Sequence, residues 1–286
     1  MRILWTSAIA SSVFLASVIS GSASAISLYN GSGLPGLQGT LQIGSITSAG
    51  VPISPATGNG QSLSAGGVTV NTAANAAEYS GYSNYNPLSS TYFNPSIFSA
   101  STLNQATGYS LTFTVSLDSA TSNTSTTNPR AVFSIIAISS DGKGIEIGFR
   151  VNEIFAQSSV GFTSQDLAQT ATFSTNTSKT YNLAVFNNGY TLSSGATPII
   201  NGSLLNYSFN PALSSPPLTF NPYTIPSFVF LGDDTGQESG TFTLGAVTLD
   251  TTAVPFEFSP TYGLVALGAG VVFKNWRKKA KDKLNK

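Results

Sequence analysis

The side chains able to do chemistry in this sequence are carboxylates, hydroxyls and a few cations, because its 286 residues include neither histidine nor cysteine. Without histidine, a Ser-His-Asp triad and a histidine-ligated zinc site are excluded, as is the commonest general base. Without cysteine there is no thiol nucleophile and no disulfide bond. Any catalysis therefore has to rest on carboxylates, hydroxyl groups or the side chains of lysine and arginine.

The first acidic candidate lies in the run GIEIGFRVNE, residues 144–153. On a β-strand, Glu146 and Arg150 share one face. Glycosidases that retain configuration place two carboxyl groups about 5–5.5 Å apart, but Gly148 and Arg150 occupy the positions where a second acid is needed, and Glu153 faces the other way on a regular strand. We therefore expect no catalytic residues and no enzymatic activity, with Glu146 and Arg150 on a polar sheet surface open to a ligand. A second carboxylate within about 6 Å of Glu146, in the same cleft, would instead indicate a glycoside hydrolase.

The second candidate is Asp233-Asp234 in the segment LGDDTG. Calcium takes six to eight oxygen ligands, and two adjacent acids in a loop supply some of them. The same four residues, Asp-Asp-Thr-Gly, also form ordinary turns. Calcium is the one cofactor that the sequence brings into question, and no other is expected.

The third candidate is a group of tyrosines, Tyr79, Tyr82 and Tyr85, in the segment EYSGYSNY. Exposed tyrosines among asparagine and serine can stack on sugar rings. The favoured interpretation is that these rings fasten a long loop to the body of the protein, because aromatic side chains bury a large area.

The charge distribution argues against nucleic acid as a partner. Residues 26–254 contain ten acidic and four basic side chains, a net charge of −6, whereas the last thirteen residues hold seven bases and one acid. A body of this charge repels a polyanion, so we expect no nucleic-acid binding.

The elements that must position these residues are β-strands, and we expect an all-β fold over residues 26–250. Short apolar or alternating runs are separated by turn residues, which is typical of a sandwich or barrel. Asp141-Gly142 and Asn188-Gly189 indicate tight hairpin turns. Residues 30–107 are expected to form long loops with a few edge strands. The clearest strand runs are 109–117, 131–138, 144–151, 181–187, 227–232 and 240–249.

The first 25 residues have the three parts of a secretory signal peptide. Arg2 precedes a short apolar stretch, which is followed by small residues ending in Ala23-Ser24-Ala25, an A-x-A cleavage site. The secretion machinery is therefore an expected partner, and the mature chain is expected to begin at Ile26.

Residues 251–286 form an expected anchor. An apolar stretch at about 261–276 is long enough for a short transmembrane helix, and the basic end at 274–286 is expected to stay cytoplasmic, which leaves the body outside. This three-part tail resembles the PEP-CTERM class of sorting signals, with Pro255-Phe256-Glu257 resembling the PFE variant of cyanobacterial-type systems. The resemblance implies processing by an exosortase-type membrane protease and a place in the cell envelope or outside the cell.

Three segments of the body resemble concanavalin A-like jelly rolls, in particular the bacterial choice-of-anchor surface domains: GIEIGFRVNEIFAQ, YNLAVFNNGYTLSSGATPIINGSLLNY and FVFLGDDTGQESGTFTLGAVTL. The resemblance implies a single jelly-roll β-sandwich and an exported, non-enzymatic surface or matrix protein. The first alternative is a lectin-like module that binds surface polysaccharide, with or without calcium. The second is a glycoside hydrolase of the jelly-roll type.

Overall fold

The computed structural model describes residues 25–46, 52–53, 60–72, 79–120, 130–159, 165–214, 217–235 and 238–252. Within them the chain forms two large antiparallel sheets and a small hairpin. The predicted signal peptide, with Ala23, and the sorting tail, with Pro255, Phe256 and Glu257, lie outside the described residues; Ala25 is the first residue inside them. Among the described residues, no helix is long and apolar enough to cross a membrane.

The first sheet, sheet A, has eight strands, and the long strands β9 and β18 lie side by side at its centre. In spatial order its strands are β16 (Thr197–Ser203), β15 (Gly189–Ser194), β14 (Lys179–Phe186), β9 (Tyr109–Ala120), β18 (Gly240–Asp250), β5 (Gly67–Asn71) and β4 (Gln61–Ser64), with β1 (Ile26–Tyr29) also paired to β18.

The second sheet, sheet B, also has eight strands and carries the acidic candidates. In spatial order they are β13 (Gln165–Thr172), β12 (Glu153–Gln157), β11 (Gly144–Arg150), β10 (Phe133–Ile138), β17 (Phe228–Asp233), β6 (Tyr79–Ser83), β2 (Gln42–Ile46) and β3 (Pro52–Ile53). The short strands β7 (Tyr85–Asn86) and β8 (Thr91–Tyr92) form the small hairpin, and 3₁₀ turns occupy Pro35–Gln38, Pro211–Leu213 and Pro222–Thr224.

The main core fills the space between the two sheets. Its centre is a cluster of rings from both sheets, in which the Phe149 and Tyr181 centroids lie 5.1 Å apart and those of Phe133 and Phe242 lie 5.2 Å apart. All four residues are fully buried. Alternate residues of strands such as β9 and β14 point into this core, as the alternating sequence patterns predicted. The predicted all-β sandwich is confirmed, and its two-sheet architecture fits a jelly roll.

Two local predictions need correction. Residues 30–107 do more than form loops and edges, because β5 and β6 are interior strands of the two sheets. The turn between β14 and β15 is centred one residue earlier than predicted. Phe186 pairs with Gly189, and the two central residues are Asn187 and Asn188, with φ values of 46° and 65°. Asparagine tolerates this left-handed region better than most residues, so the turn forms without glycine at its centre.

The connection from β16 to β17 crosses the outer face of sheet B, the face turned away from sheet A. We call its described parts, residues 204–214 and 217–227, the strap. Its Tyr207 and Tyr223 pack with Ile136 and Phe228 in a second, smaller apolar cluster. Leu205 fixes one end of the strap through paired backbone hydrogen bonds with Gly144, 2.8 and 2.9 Å long. The strap thereby roofs part of the sheet.

Candidate active site

A cavity of about 410 Å³ lies between the strap and the outer face of sheet B. Ligand pockets commonly measure about 300–1,000 Å³, so this cavity has room for a small organic group such as a sugar unit. Two acids and one cation line it together with amide and hydroxyl side chains and aromatic rings. The charged residues are Glu146, Asp234 and Arg130, and Gln157 is one of the two amides.

The two acids come from different parts of sheet B. Glu146 lies on β11, and Asp234 directly follows β17; the strand between them is β10. Ser134 of β10 is paired with Gly148 on one side and Gly232 on the other. Small residues therefore lie between the two acidic side chains. A Cβ atom at Gly148 would lie 2.5 Å from Cζ of Phe155, so glycine is required there for the Phe155 ring to pack over the sheet.

Glu146 and Asp234 both line the cavity and are close enough that each shifts the pKa of the other. Asp234 Oδ1 accepts a hydrogen bond of 3.0 Å from the Ser134 hydroxyl group. Its other oxygen, Oδ2, is buried and receives no hydrogen bond from any N–H or hydroxyl donor among the described residues. Two ionised carboxylates have only acceptors and repel each other, so neighbouring buried acids favour a proton on one of them.

The environment of each acid decides which of them keeps the proton. Burial raises the pKa of Glu146 well above its usual range, and the nearby charge of Asp234 raises it further. Burial also raises the pKa of Asp234, but the hydrogen bond from Ser134 and the positive charge of Arg130 oppose that rise. Glu146 is accordingly the protonated acid and Asp234 the carboxylate, a division of roles typical of paired catalytic acids.

Tyr223 of the strap holds Glu146 in place, since its hydroxyl group donates a hydrogen bond to Glu146 Oε2. Burial raises the Tyr223 pKa well above 10, so the hydroxyl group keeps its proton and remains a donor. The Tyr223 ring stacks on Tyr207 at 4.6 Å. Asn221 caps the 3₁₀ turn by accepting a 3.0 Å hydrogen bond from the Tyr223 N–H group. The local turn and the ring stack together set the position of this hydroxyl group.

Tyr207 enters the sheet itself, at the point where β11 and β12 separate. The Glu146 N–H group donates to the Tyr207 hydroxyl oxygen at 2.9 Å, and that hydroxyl donates to the Gln157 carbonyl oxygen at 3.2 Å. The tyrosine hydroxyl thus takes the place of a direct backbone hydrogen bond between Glu146 and Gln157. Both side chains then face the cavity on neighbouring strands.

Arg150, expected beside Glu146 as a ligand contact, supports the cavity wall from outside instead. Its guanidinium pairs with Glu153 at 2.5 Å and lies 4.7 Å from the Phe155 ring centroid. Its Nε donates to the Arg130 carbonyl oxygen at 3.1 Å. Glu153 shares this face, contrary to prediction, because the chain turns after Arg150 and Glu153 begins the next strand.

The adjacent acids Asp233 and Asp234 point to opposite faces of sheet B. Asp233 is buried toward sheet A, where its Oδ2 accepts a 2.6 Å hydrogen bond from Thr72 and its Oδ1 a 3.0 Å hydrogen bond from the Thr235 N–H group. No group of three or more potential acidic metal ligands occurs in the part of the chain that the structure describes. The structure does not bring this pair together, and calcium binding there stays a prediction.

The three candidate tyrosines have three different environments. Tyr79 is buried and lines the cavity, and burial raises its pKa to about 12. Tyr82 is fully buried, and its hydroxyl group donates to Gln61 Oε1 at 2.8 Å, so its ring is not exposed for the alternative of stacking on a sugar. Tyr85 is half-buried against Tyr92, at 5.4 Å and nearly perpendicular. Only Tyr79 is placed to meet a ligand in this cavity.

Comparisons with known proteins show no family. No family model matches the chain, and no curated protein matches it in sequence. Several solved structures are similar to it at low identity and with TM-scores below 0.5. A carbohydrate esterase from the Shiga toxin-encoding bacteriophage phi24B is 13% identical, with 80% of this chain and 100% of the esterase covered and a TM-score of 0.45. A family 7 alginate lyase in complex with substrate is 11% identical, covering 77% and 95%, with a TM-score of 0.45. Sheep galectin-11 is 10% identical, covering 51% and 92%, with a TM-score of 0.30.

The expectation of a non-enzymatic protein is wrong. The solved structures that match include an esterase and alginate lyases, which are enzymes. The expectation also rested on Glu146 having no acidic partner, and Asp234 is that partner. The sequence analysis missed it because the second acid comes from another strand, and no spacing within one strand reveals such a pair.

Proposed function

We propose that this protein is a glycan-cleaving hydrolase whose acid–base pair is Glu146 and Asp234. The observation that carries the proposal is that these two acids line the same cavity and lie close enough to shift each other's pKa. One protonated and one ionised acid are what glycoside hydrolysis requires. Histidine is absent from the sequence, and a paired-acid mechanism has no need of it.

In this mechanism Glu146 donates its proton to the glycosidic oxygen, and Asp234 either attacks the anomeric carbon or activates a water molecule. Retaining enzymes hold their carboxyl groups about 5–5.5 Å apart and inverting enzymes about 6.5–9.5 Å apart. Glu146 and Asp234 lie close together in the free protein, since each shifts the pKa of the other. A sugar bound in the cavity would bring its glycosidic oxygen to the proton on Glu146.

The walls of the cavity suit a sugar ring. The rings of Phe155, Phe209, Tyr79 and Tyr223 offer apolar surface for the C–H faces of a sugar, and the polar side chains between them offer hydrogen bonds to its hydroxyl groups. A mainly apolar wall with a few placed polar groups is the usual composition of a small-molecule site.

The test uses a panel of neutral and acidic polysaccharides and measures hydrolysis by the reducing ends released. Wild-type protein is expected to cleave at least one, and Glu146→Gln and Asp234→Asn are each expected to lower its rate about 100-fold or more. Glu153→Gln is the matched control, because it removes a carboxylate that lies on the same face but does not line the cavity. Wild-type rates in Glu146→Gln would refute the assignment. Glycan binding without any product would identify a lectin-like module in place of a hydrolase.

We also infer that the enzyme acts outside the cytoplasm. The support is the signal-like start, with its Ala23-Ser24-Ala25 site, and the tail in which Pro255-Phe256-Glu257 precedes an apolar stretch and a basic end. The intact mass of protein recovered from its native host tests this inference. A chain from Ile26 to about Pro255 is expected if an exosortase-type protease removes the tail. A membrane-bound chain that still ends at Lys286 would contradict sorting and indicate a plain anchor.

A further inference from the structure

Gln157 carries an unpaired, buried hydrogen-bond donor in the cavity wall. It is only 2% exposed, and its side-chain nitrogen Nε2 has no hydrogen-bond partner among the described residues. The residue lines the cavity. The register pairs Ile147 with Ala156, so Gln157 lies directly across from Glu146 on the adjacent strand. The unpaired donor and the protonated acid therefore face the same space.

An unpaired buried amide N–H group lowers the stability of the fold, so its presence calls for a functional reason. Leaving a buried donor unsatisfied costs about 1–3 kcal/mol, whereas an apolar side chain of similar shape at this position would avoid that cost. An oxygen atom of a ligand in the cavity would satisfy the donor. A site built in this way also rejects ligands that lack the matching acceptor.

The charges around the cavity indicate what kind of ligand this is. Two acids, Glu146 and Asp234, and one cation, Arg130, line the cavity. With Glu146 protonated, the charges of Asp234 and Arg130 balance each other. A negatively charged sugar would bring a further carboxylate beside Asp234 with no balancing cation, and burying an uncompensated charge is expensive.

We propose that Gln157 is a specificity-determining residue that donates a hydrogen bond from Nε2 to a hydroxyl or ring oxygen of an uncharged sugar held against Glu146. The proposal rests on the hydrolase function proposed above, whose site it shares. Gln157 contacts the substrate and reads the position of one oxygen atom, and the balanced charges of the cavity exclude uronic acid units from this position.

The experiment uses Glu146→Gln protein, because glutamine imitates the uncharged, protonated glutamate and stops turnover. The probes are the neutral hexasaccharides of cellulose, xylan, laminarin and mannan, with hexagalacturonate as the acidic probe. Calorimetry measures each affinity in Glu146→Gln, and again after adding either Gln157→Leu or Gln105→Leu. Gln105 is the matched control, since its side chain is satisfied by Asp141 at 2.8 Å and by the Asn188 N–H group and does not line the cavity.

We expect at least one neutral probe to bind, and Gln157→Leu to weaken that binding about tenfold or more while the thermal midpoint stays equal or rises. Gln105→Leu is expected to lower the midpoint and leave the affinity unchanged. Unchanged affinity in Gln157→Leu overturns the proposal. If the thermal midpoint falls at the same time, Gln157 has a structural role instead. If hexagalacturonate binds more tightly than the neutral probes, the proposal that the bound sugar is uncharged is overturned.

The two proposals fail in different ways. If wild-type protein leaves intact the hexasaccharide that Glu146→Gln binds, the hydrolase proposal fails while the Gln157 result stands. If wild-type protein cleaves it and Gln157→Leu changes nothing, only the Gln157 proposal fails. Failure of every probe to bind overturns both.

Discussion

The two faces of sheet B are formed by the same strands but differ in character. The inner face presents apolar side chains such as Ile135, Ile147 and Phe149, all fully buried against sheet A. The outer face, one residue along each strand, presents Ser134 and Glu146 beneath the strap. The inner face stabilises the fold by burial, and the outer face keeps polar groups in a cavity where they gain less from folding. Stability and chemistry are thus separated by a single sheet.

Asp233 and Asp234 show this difference between neighbours. Asp233, on the inner side, has hydrogen bonds to both carboxylate oxygens, from Thr72 and from Thr235. Asp234, on the outer side, has a buried oxygen without an N–H or hydroxyl donor. The contrast is not complete, because the buried Tyr181 hydroxyl group in the main core also lacks a partner. The unsatisfied atoms of the outer face differ from the Tyr181 hydroxyl group because they belong to residues that line a cavity, which a ligand can fill.

The largest expected effect compares two phenylalanines on opposite faces. Phe149→Ala is expected to destabilise the protein by about 3–5 kcal/mol, because it opens a void among close-packed rings. Phe155→Ala is expected to cost clearly less, because it enlarges a cavity that already exists. Denaturant unfolding of both variants measures the difference. Equal losses would mean that the outer face is packed as tightly as the core.

The next effect is a dependence of stability on pH that comes from the outer face. The pKa of Glu146 is raised above 4.5 in the folded protein, so the folded chain keeps a proton that the unfolded chain releases. Stability is therefore expected to fall as pH rises above about 4.5, by up to about 1.4 kcal/mol per pH unit for this proton. Above the folded-state pKa of Glu146 its contribution to the fall is complete.

Glu146→Gln isolates that contribution, because glutamine does not titrate. Thermal or denaturant unfolding between pH 4 and 8 is expected to show a shallower fall in the variant. Some slope remains, because burial also raises the pKa values of Asp233 and Asp234. Parallel profiles for the two proteins would show that Glu146 does not hold the extra proton.

The smallest expected effect concerns the hydroxyl group of Tyr223. Tyr223→Phe removes the hydrogen bond to Glu146 Oε2 and is expected to cost about 1 kcal/mol of stability. That hydrogen bond lowers the pKa of Glu146, so its loss raises the pKa further, and the alkaline limb of the activity profile should move to higher pH. Tyr85→Phe, outside the cavity, serves as the control. An unmoved profile would remove Tyr223 from the positioning of Glu146.

Much of the fold could be predicted from local patterns. The run 144–151 became β11 (Gly144–Arg150), with Ile145 and Ile147 inside and Glu146 outside, because alternation along a strand fixes which face each residue takes. The strap could not be predicted in the same way. Its residues show no periodicity, and Tyr223 meets Glu146 across 77 positions of the chain.

By itself the sequence determined what chemistry is open to this protein. The absence of histidine and cysteine left acids as the main candidates, and alternating runs fixed an all-β sandwich with Glu146 on its polar face. Only the tertiary structure decided that Asp234 is the partner of Glu146, that Arg150 is a support and that Gln157 faces the cavity. The physical reason is that alternation acts between neighbours in the chain, whereas a buried acid pair depends on strand order, register and the segment that closes over it.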